Sequence, residues 1–151
     1  MADPLTHAML GACCAPDHPI IGAAFGLLPD APQLPMNIYT LIRYRRTAVN
    51  HDWALAPRWL LRAYNYMHGL FIPAAIMFYS WMFIPPLFPF ALAYCAHVTL
   101  DAFLHYETSI MYPLLQISII GSGKDWWTDW KTIVFPIATS LIFMSIRLGW
   151  I

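Results

Sequence analysis

The chain has 151 residues, 60% of them hydrophobic and only 11% charged, with eight Lys and Arg balancing eight Asp and Glu. Zero net charge and the lack of a basic stripe interleaved with aromatic residues argue against a nucleic-acid partner. A mean hydropathy of +0.55, in apolar runs that approach the width of a bilayer, predicts an all-α, polytopic membrane protein of one domain.

In chain order, "MADPLTHAML" carries Asp3 and no Lys or Arg, the wrong sign for a cleaved signal peptide, so the first segment is expected to stay on the chain. "THAMLGACCA" and "PIIGAAFGLL" are apolar but about half the length of a crossing. They predict a short helical hairpin over residues 1–30, turned at Pro16, Asp17, His18 and Pro19. Gly11, Ala12, Gly22, Ala23, Ala24 and Gly26 would let its two arms approach closely. Cys13, Cys14 and Cys95 are odd in number, show no CxxC spacing and sit among apolar residues, so they read as packing residues.

Residues 31–66 form a polar interlude with Pro32 and Pro35 at its start and Arg43, Arg45, Arg46, Arg58 and Arg62 within it. The positive-inside tendency reads this as a cytoplasmic, Arg-rich loop. Two apolar runs follow, 69–83 and 87–104, parted by Pro85 and Pro86, which cannot lie inside one continuous helix. Residues 67–105 are therefore a predicted helical hairpin. Residues 106–130 read as an interfacial segment in which 110–120 is a short, re-entrant or interfacial apolar piece. The stretch "KDWWTDWK" then introduces a last span over 131–151, with Trp126, Trp127 and Trp130 at headgroup level. The count is three full transmembrane helices plus short re-entrant or interfacial helices.

"AHVTLDAFLHYE" places His97, Asp101 and His105 four residues apart, on one slowly drifting helical stripe. If the second hairpin leaves one face at His68 and returns to it through His97 and Asp101, then His7 and Asp30, at the two ends of the first hairpin, belong to that face too. Taken singly, each has a bland reading: an interfacial histidine, a turn or cap at Asp30, a structural hydrogen bond between His97 and Asp101. Taken together, imidazoles and carboxylates suit one or two divalent ions, zinc first, with iron or manganese as alternatives. Such ions activate water and polarise a phosphoryl or acyl oxygen. His7, Asp30, His68, His97 and Asp101 are the candidate ligands, and His105 is the candidate for moving the proton. His18 and His51 lie in polar, turn-like contexts and read as solvated. No P-loop, GxGxxG or GxSxG motif competes, and "GSGKD" lacks the Walker spacing.

"DPLTHAMLGA", "HPIIGAAFGLLPDAP", a His before the next apolar run, "AHVTLDAF" and "MYPLL" together resemble, in order over residues 3–115, the YdjM-like group of small inner-membrane proteins, predicted metal-dependent hydrolases. The ligand order also resembles a reduced zinc-dependent phospholipase C site. The resemblance implies a multi-pass protein of the bacterial inner (cytoplasmic) membrane, a metal site of His7, Asp30, His68, His97 and Asp101 at its cytoplasmic face, and hydrolysis of a membrane-lipid phosphoester. The chain departs from the group at "AYNYMHG", where a His-Arg-Gly-x-Thr-His-Ser pattern is common: Ala63 stands for the first His, Tyr64 for the Arg, Met67 for the Thr and Gly69 for the Ser. That departure motivates a second expectation, a non-catalytic subunit or assembly factor of a membrane protein complex that keeps the scaffold. A third is haem held between His68 and His97.

Overall fold

The computed structural model describes residues 4–44, 57–104 and 110–114, with single positions at 134, 138, 141, 145 and 149. Six α-helices run through the described residues: α1 (Pro4–Cys14), α2 (Pro19–Leu27), α3 (Gln33–Tyr44), α4 (Arg58–Met67), α5 (Phe71–Phe83) and α6 (Phe88–Leu104). Short 3-10 turns at Leu28–Asp30 and Pro85–Leu87 lead out of α2 and into α6.

Proline and glycine place the joints. Pro16 follows the end of α1, His18 closes the turn by donating its N–H to the Ala15 carbonyl (3.0 Å), and Pro19 opens α2 where a missing N–H costs nothing. The two arms then cross backbone to backbone. A Cβ on Gly11 would meet the Gly22 carbonyl oxygen, one on Gly22 the Gly11 carbonyl, and one on Gly26 the His7 carbonyl. The crossing is thus held by three glycines, whereas Ala24 points outward and is exposed. Pro85 and Pro86 form the 3-10 turn that joins α5 to α6.

Helix α6 is the central element. Helices α1 and α2 pack on one part of its surface and α5 on another. Phe90, Ala91, Ala93, Tyr94, His97, Val98, Asp101 and Ala102 are all buried. Tyr94, Val98 and Ala102 form the main core with Ile110, and Met67, Leu70 and Ile72 pack against it. The Tyr94 hydroxyl donates to the Met67 carbonyl (2.9 Å), which ties α6 to the end of α4.

This architecture corrects the polytopic membrane reading. Among the described residues no helix is long and apolar enough to cross a membrane. Helix α5 has 13 residues and α6 has 17, which at a rise of about 1.5 Å per residue is roughly 20 and 26 Å, short of the ~30 Å hydrocarbon layer. The apolar runs look longer in the sequence because hydropathy counts Gly69 and Leu70, which lie outside the α5 helix. A helix that is apolar on most sides is also what a central core helix requires, and α6 is one. Multi-pass insertion in an inner membrane, and a site at its cytoplasmic face, fall with the spans. Residues 31–66, read as a loop, contain α3 and most of α4. Met36 and Leu60 face inward there beside Tyr64, while Arg43, Arg58 and Arg62 are exposed. The expected re-entrant piece is described only over 110–114, and the expected last span only at isolated positions.

Candidate metal centre

Four elements each bring one or two polar side chains to the same interior point. His7 comes from the first turns of α1, Asp30 from the 3-10 turn after α2, His68 from the residue that caps α4, and His97 with Asp101 from successive turns of α6. His7, His68, His97 and Asp101 are at most 2% exposed. Asp30 is the member nearest solvent, its side chain 16% exposed. One ligand atom from each of Asp30, His68, His97 and Asp101 lies within 4.8 Å of all the others.

The backbone sets how the imidazoles face. His97 donates Nδ1–H to the Gly26 carbonyl at 2.5 Å, a contact that the glycine crossing of α1 and α2 makes reachable. His68 donates Nδ1–H to the Tyr64 carbonyl at 3.1 Å, which also accepts its backbone N–H at 2.9 Å. With Nδ1 committed to a carbonyl, Nε2 of each ring is the atom left to take a proton or a metal, the arrangement that orients metal-ligating histidines.

These Nε2 atoms meet carboxylate oxygens. His97 Nε2 is 3.2 Å and His68 Nε2 3.3 Å from Asp101 Oδ2, and His68 Nε2 is 3.3 Å and His97 Nε2 3.9 Å from Asp30 Oδ1. On the other side of the same carboxylate, His7 Nε2 is 3.1 Å from Asp101 Oδ1. Yet Nε2 of His7, His68 and His97 makes no hydrogen bond of acceptable direction. Close donors and acceptors that do not aim at one another fit a shared central atom. The edge of a tetrahedron of metal bonds of ~2.0–2.1 Å is about 3.3 Å, and the contacts to Asp101 Oδ2 match it. The residues present therefore form a His2Asp2 cluster able to bind a divalent metal.

Electrostatics point the same way. Burial pulls the His68 imidazolium down, but the Asp101 and Asp30 carboxylates, each with an oxygen 3.3 Å from its Nε2, outweigh burial and push the pKa up to about 9. A proton thus takes the place that a cation would hold. Burial dominates at His7, aided by the nearby His97, and lowers its pKa despite Asp101. Burial raises Asp30, but the His68 hydrogen bond and the His97 charge bring its carboxyl below the ordinary value.

Four of the five ligand candidates, Asp30, His68, His97 and Asp101, form this cluster; His7 lies outside it and adjoins it through Asp101 Oδ1, and His105 falls outside the described residues. Two neighbours carry no motif. Gln33 donates Nε2–H to Asp30 Oδ1; its spacing of three residues from Asp30, at the start of a helix, was the available signal. Tyr64 lies over the His68 ring with centroids 3.8 Å apart. Burial and the two carboxylates hold its phenol well above the usual range, so it stays protonated. The haem expectation fails on geometry. Asp101 Oδ2 stands within 3.3 Å of both His68 and His97, where a macrocycle would have to lie. Comparison of the chain with protein-family models, with curated proteins and with solved structures finds no match.

Proposed function

We propose that the protein is a divalent-metal-dependent hydrolase acting on a phosphoester. The observation that carries the proposal is the convergence of His68, His97, Asp30 and Asp101 on one point, with Nε2 of both imidazoles making no hydrogen bond of acceptable direction. The mixed imidazole and carboxylate donor set suits zinc, and differs from the cysteine-rich sets common at purely structural zinc sites. A bound metal lowers the pKa of water towards neutrality and stabilises charge on a phosphoryl oxygen.

The chain's own residues supply the rest. Gly26 and Tyr64 hold the two imidazoles by their carbonyls, so the ligand nitrogens need no reorganisation. Asp30, the most accessible ligand, marks the side from which a substrate approaches. There Gln33 steadies its carboxylate, and Tyr64 stands near as a protonated phenol. The lipid headgroup expected earlier as substrate followed from a site placed at a membrane face and has no such support here, so the proposal is confined to the phosphoester class.

The test is turnover of p-nitrophenyl phosphate and bis-p-nitrophenyl phosphate by full-length protein treated with chelator and then reloaded with Zn2+ or Mn2+. Turnover that needs the metal and disappears in His97→Ala is expected. Metal bound stoichiometrically without turnover of either ester defeats the hydrolase reading. It would favour the second reading, a non-catalytic subunit whose metal cross-links α4, α6 and the turn after α2. The near-complete burial of His68, His97 and Asp101 speaks for that alternative.

A further inference from the structure

The four-residue cluster leaves His7 unexplained. It is 1% exposed, and neither ring nitrogen has a hydrogen-bond partner. Its Nε2 nevertheless sits 3.1 Å from Asp101 Oδ1, whereas the contacts of His68 and His97 with this carboxylate are made at Oδ2. A buried imidazole that has no partner at Nδ1 and only a misdirected carboxylate contact at Nε2 is costly unless a ligand uses it.

From this geometry we infer that the centre takes two divalent ions bridged by Asp101. One is held by Oδ2 with His68, His97 and Asp30, the other by Oδ1 with His7. The inference rests on the metal-binding reading of the cluster and is independent of turnover. Two features support it. The 3.1 Å contact at Oδ1 repeats the ligand-to-ligand edges of 3.2 and 3.3 Å at Oδ2. The His7 and His97 rings are stacked, centroids 3.6 Å apart and planes 25° from parallel, so two ions lying along their Nε2 lone pairs are separated by about the ring spacing. Carboxylate-bridged pairs of catalytic ions are spaced ~3.5–4 Å.

The two positions are unequal. The first has four protein donors and takes an oxygen ligand only by expanding to five-coordinate, whereas the second has two and keeps open positions for oxygen ligands. Charge adds the ligand class. Two divalent ions exceed the two carboxylates, Asp30 and Asp101, by two positive charges. A site this buried therefore favours an anionic oxygen ligand such as a phosphate group.

The experiment is Mn2+ binding to full-length, chelator-treated protein, read as metal per chain after gel filtration and as the electron paramagnetic resonance spectrum of the bound ions. Expected are two Mn2+ per chain with a spin-coupled spectrum in the wild type, falling to one per chain with an uncoupled six-line spectrum in His7→Gln. One ion per chain in the wild type overturns the inference and leaves the metal site standing. No bound ion overturns both. Two ions in His7→Gln with coupling retained removes His7 from the second position. If His7→Gln does not fold, the wild-type stoichiometry and coupling still decide.

Discussion

At one end of the α5–α6 hairpin, His68, His97 and Asp101 are at most 2% exposed, while at the other Phe78, Trp81 and Phe83 are 62, 64 and 66% exposed. The polar end is inside and the apolar end is outside, the reverse of what side-chain polarity dictates for a globular domain. The reversal teaches where this chain holds energy in reserve. Buried imidazoles and carboxylates are stable only when paired with a proton or a cation, so that end is sensitive to single substitutions and to solution conditions. The exposed aromatic end makes few contacts to lose.

The largest effect in this contrast belongs to Asp101. It is the carboxylate that three histidines approach, from both of its oxygens. Asp101→Asn keeps the shape and removes the charge. Loss of an outer-shell partner weakens metal affinity roughly 10–100-fold, and loss of this ligand is expected to exceed that, leaving no binding of Zn2+ at micromolar concentration in calorimetric titration. Retained binding would mean that Asp101 only positions the histidines.

Next in size is Gly26→Ala. The new Cβ meets the backbone carbonyl oxygen of His7, which cannot swing aside as a side chain can. Overpacking of this kind costs about 1–3 kcal/mol, and here it also displaces the Gly26 carbonyl from His97 Nδ1. Urea unfolding should show the loss of stability, and metal titration a weaker affinity in the same variant. An unchanged midpoint would show that α1 and α2 separate freely.

The pH dependence of the metal-free protein comes third. His68 has a folded-state pKa raised to about 9, so its contribution is complete below its ordinary value of ~6.5 and is lost as pH rises through about 9. His7 has a lowered pKa and acts in the opposite sense: its contribution is present above ~6.5 and is lost as pH falls below it. Stability measured by thermal unfolding is therefore expected to peak near pH 6.5 and decline on both sides. Saturating Zn2+ should remove the alkaline decline, because the metal takes the place of the His68 proton. A decline between pH 7 and 9 that survives in metal would assign it elsewhere.

These effects also show what the sequence discloses. The HxxxD spacing of His97 and Asp101 is local, so periodicity alone puts the pair on one face of a helix. The link to His7, Asp30 and His68 comes from topology: two hairpins with their open ends together collect residues from both, and this needs no bilayer. The membrane reading failed for a physical reason. Hydropathy measures how apolar a run is, but not whether one uninterrupted helix contains it, nor whether neighbouring helices cover it as α1, α2 and α5 cover α6. Helices α3 and α4 were hidden differently. Their arginines suggested a loop, although in both segments apolar and polar residues segregate at the helical period more strongly than in the other described helices. The contacts of His97 with Gly26 and of His68 with the Tyr64 carbonyl involve backbone atoms, which no residue pattern reveals.

The smallest effect belongs at the exposed end. Phe78 and Trp81 line, with Met77 and Phe88, an apolar concavity of about 280 Å³. Trp81 is the largest side chain there, its ring 6.4 Å from that of Phe78. Because it is already 64% exposed, Trp81→Ser removes little buried area, and stability should change by no more than ~0.5 kcal/mol in urea unfolding. Metal stoichiometry should not change at all, since α5 carries no ligand. A cost of several kcal/mol would mean that the indole is covered in the intact protein, by another molecule or by residues beyond those described. The contrast between the two ends would then be one of partners, not of energy: a cation satisfies the buried polar groups and a second surface satisfies the aromatic ones. A small cost confined to the aromatic end, beside a large one at Asp101, would locate the fold's sensitivity in the metal centre.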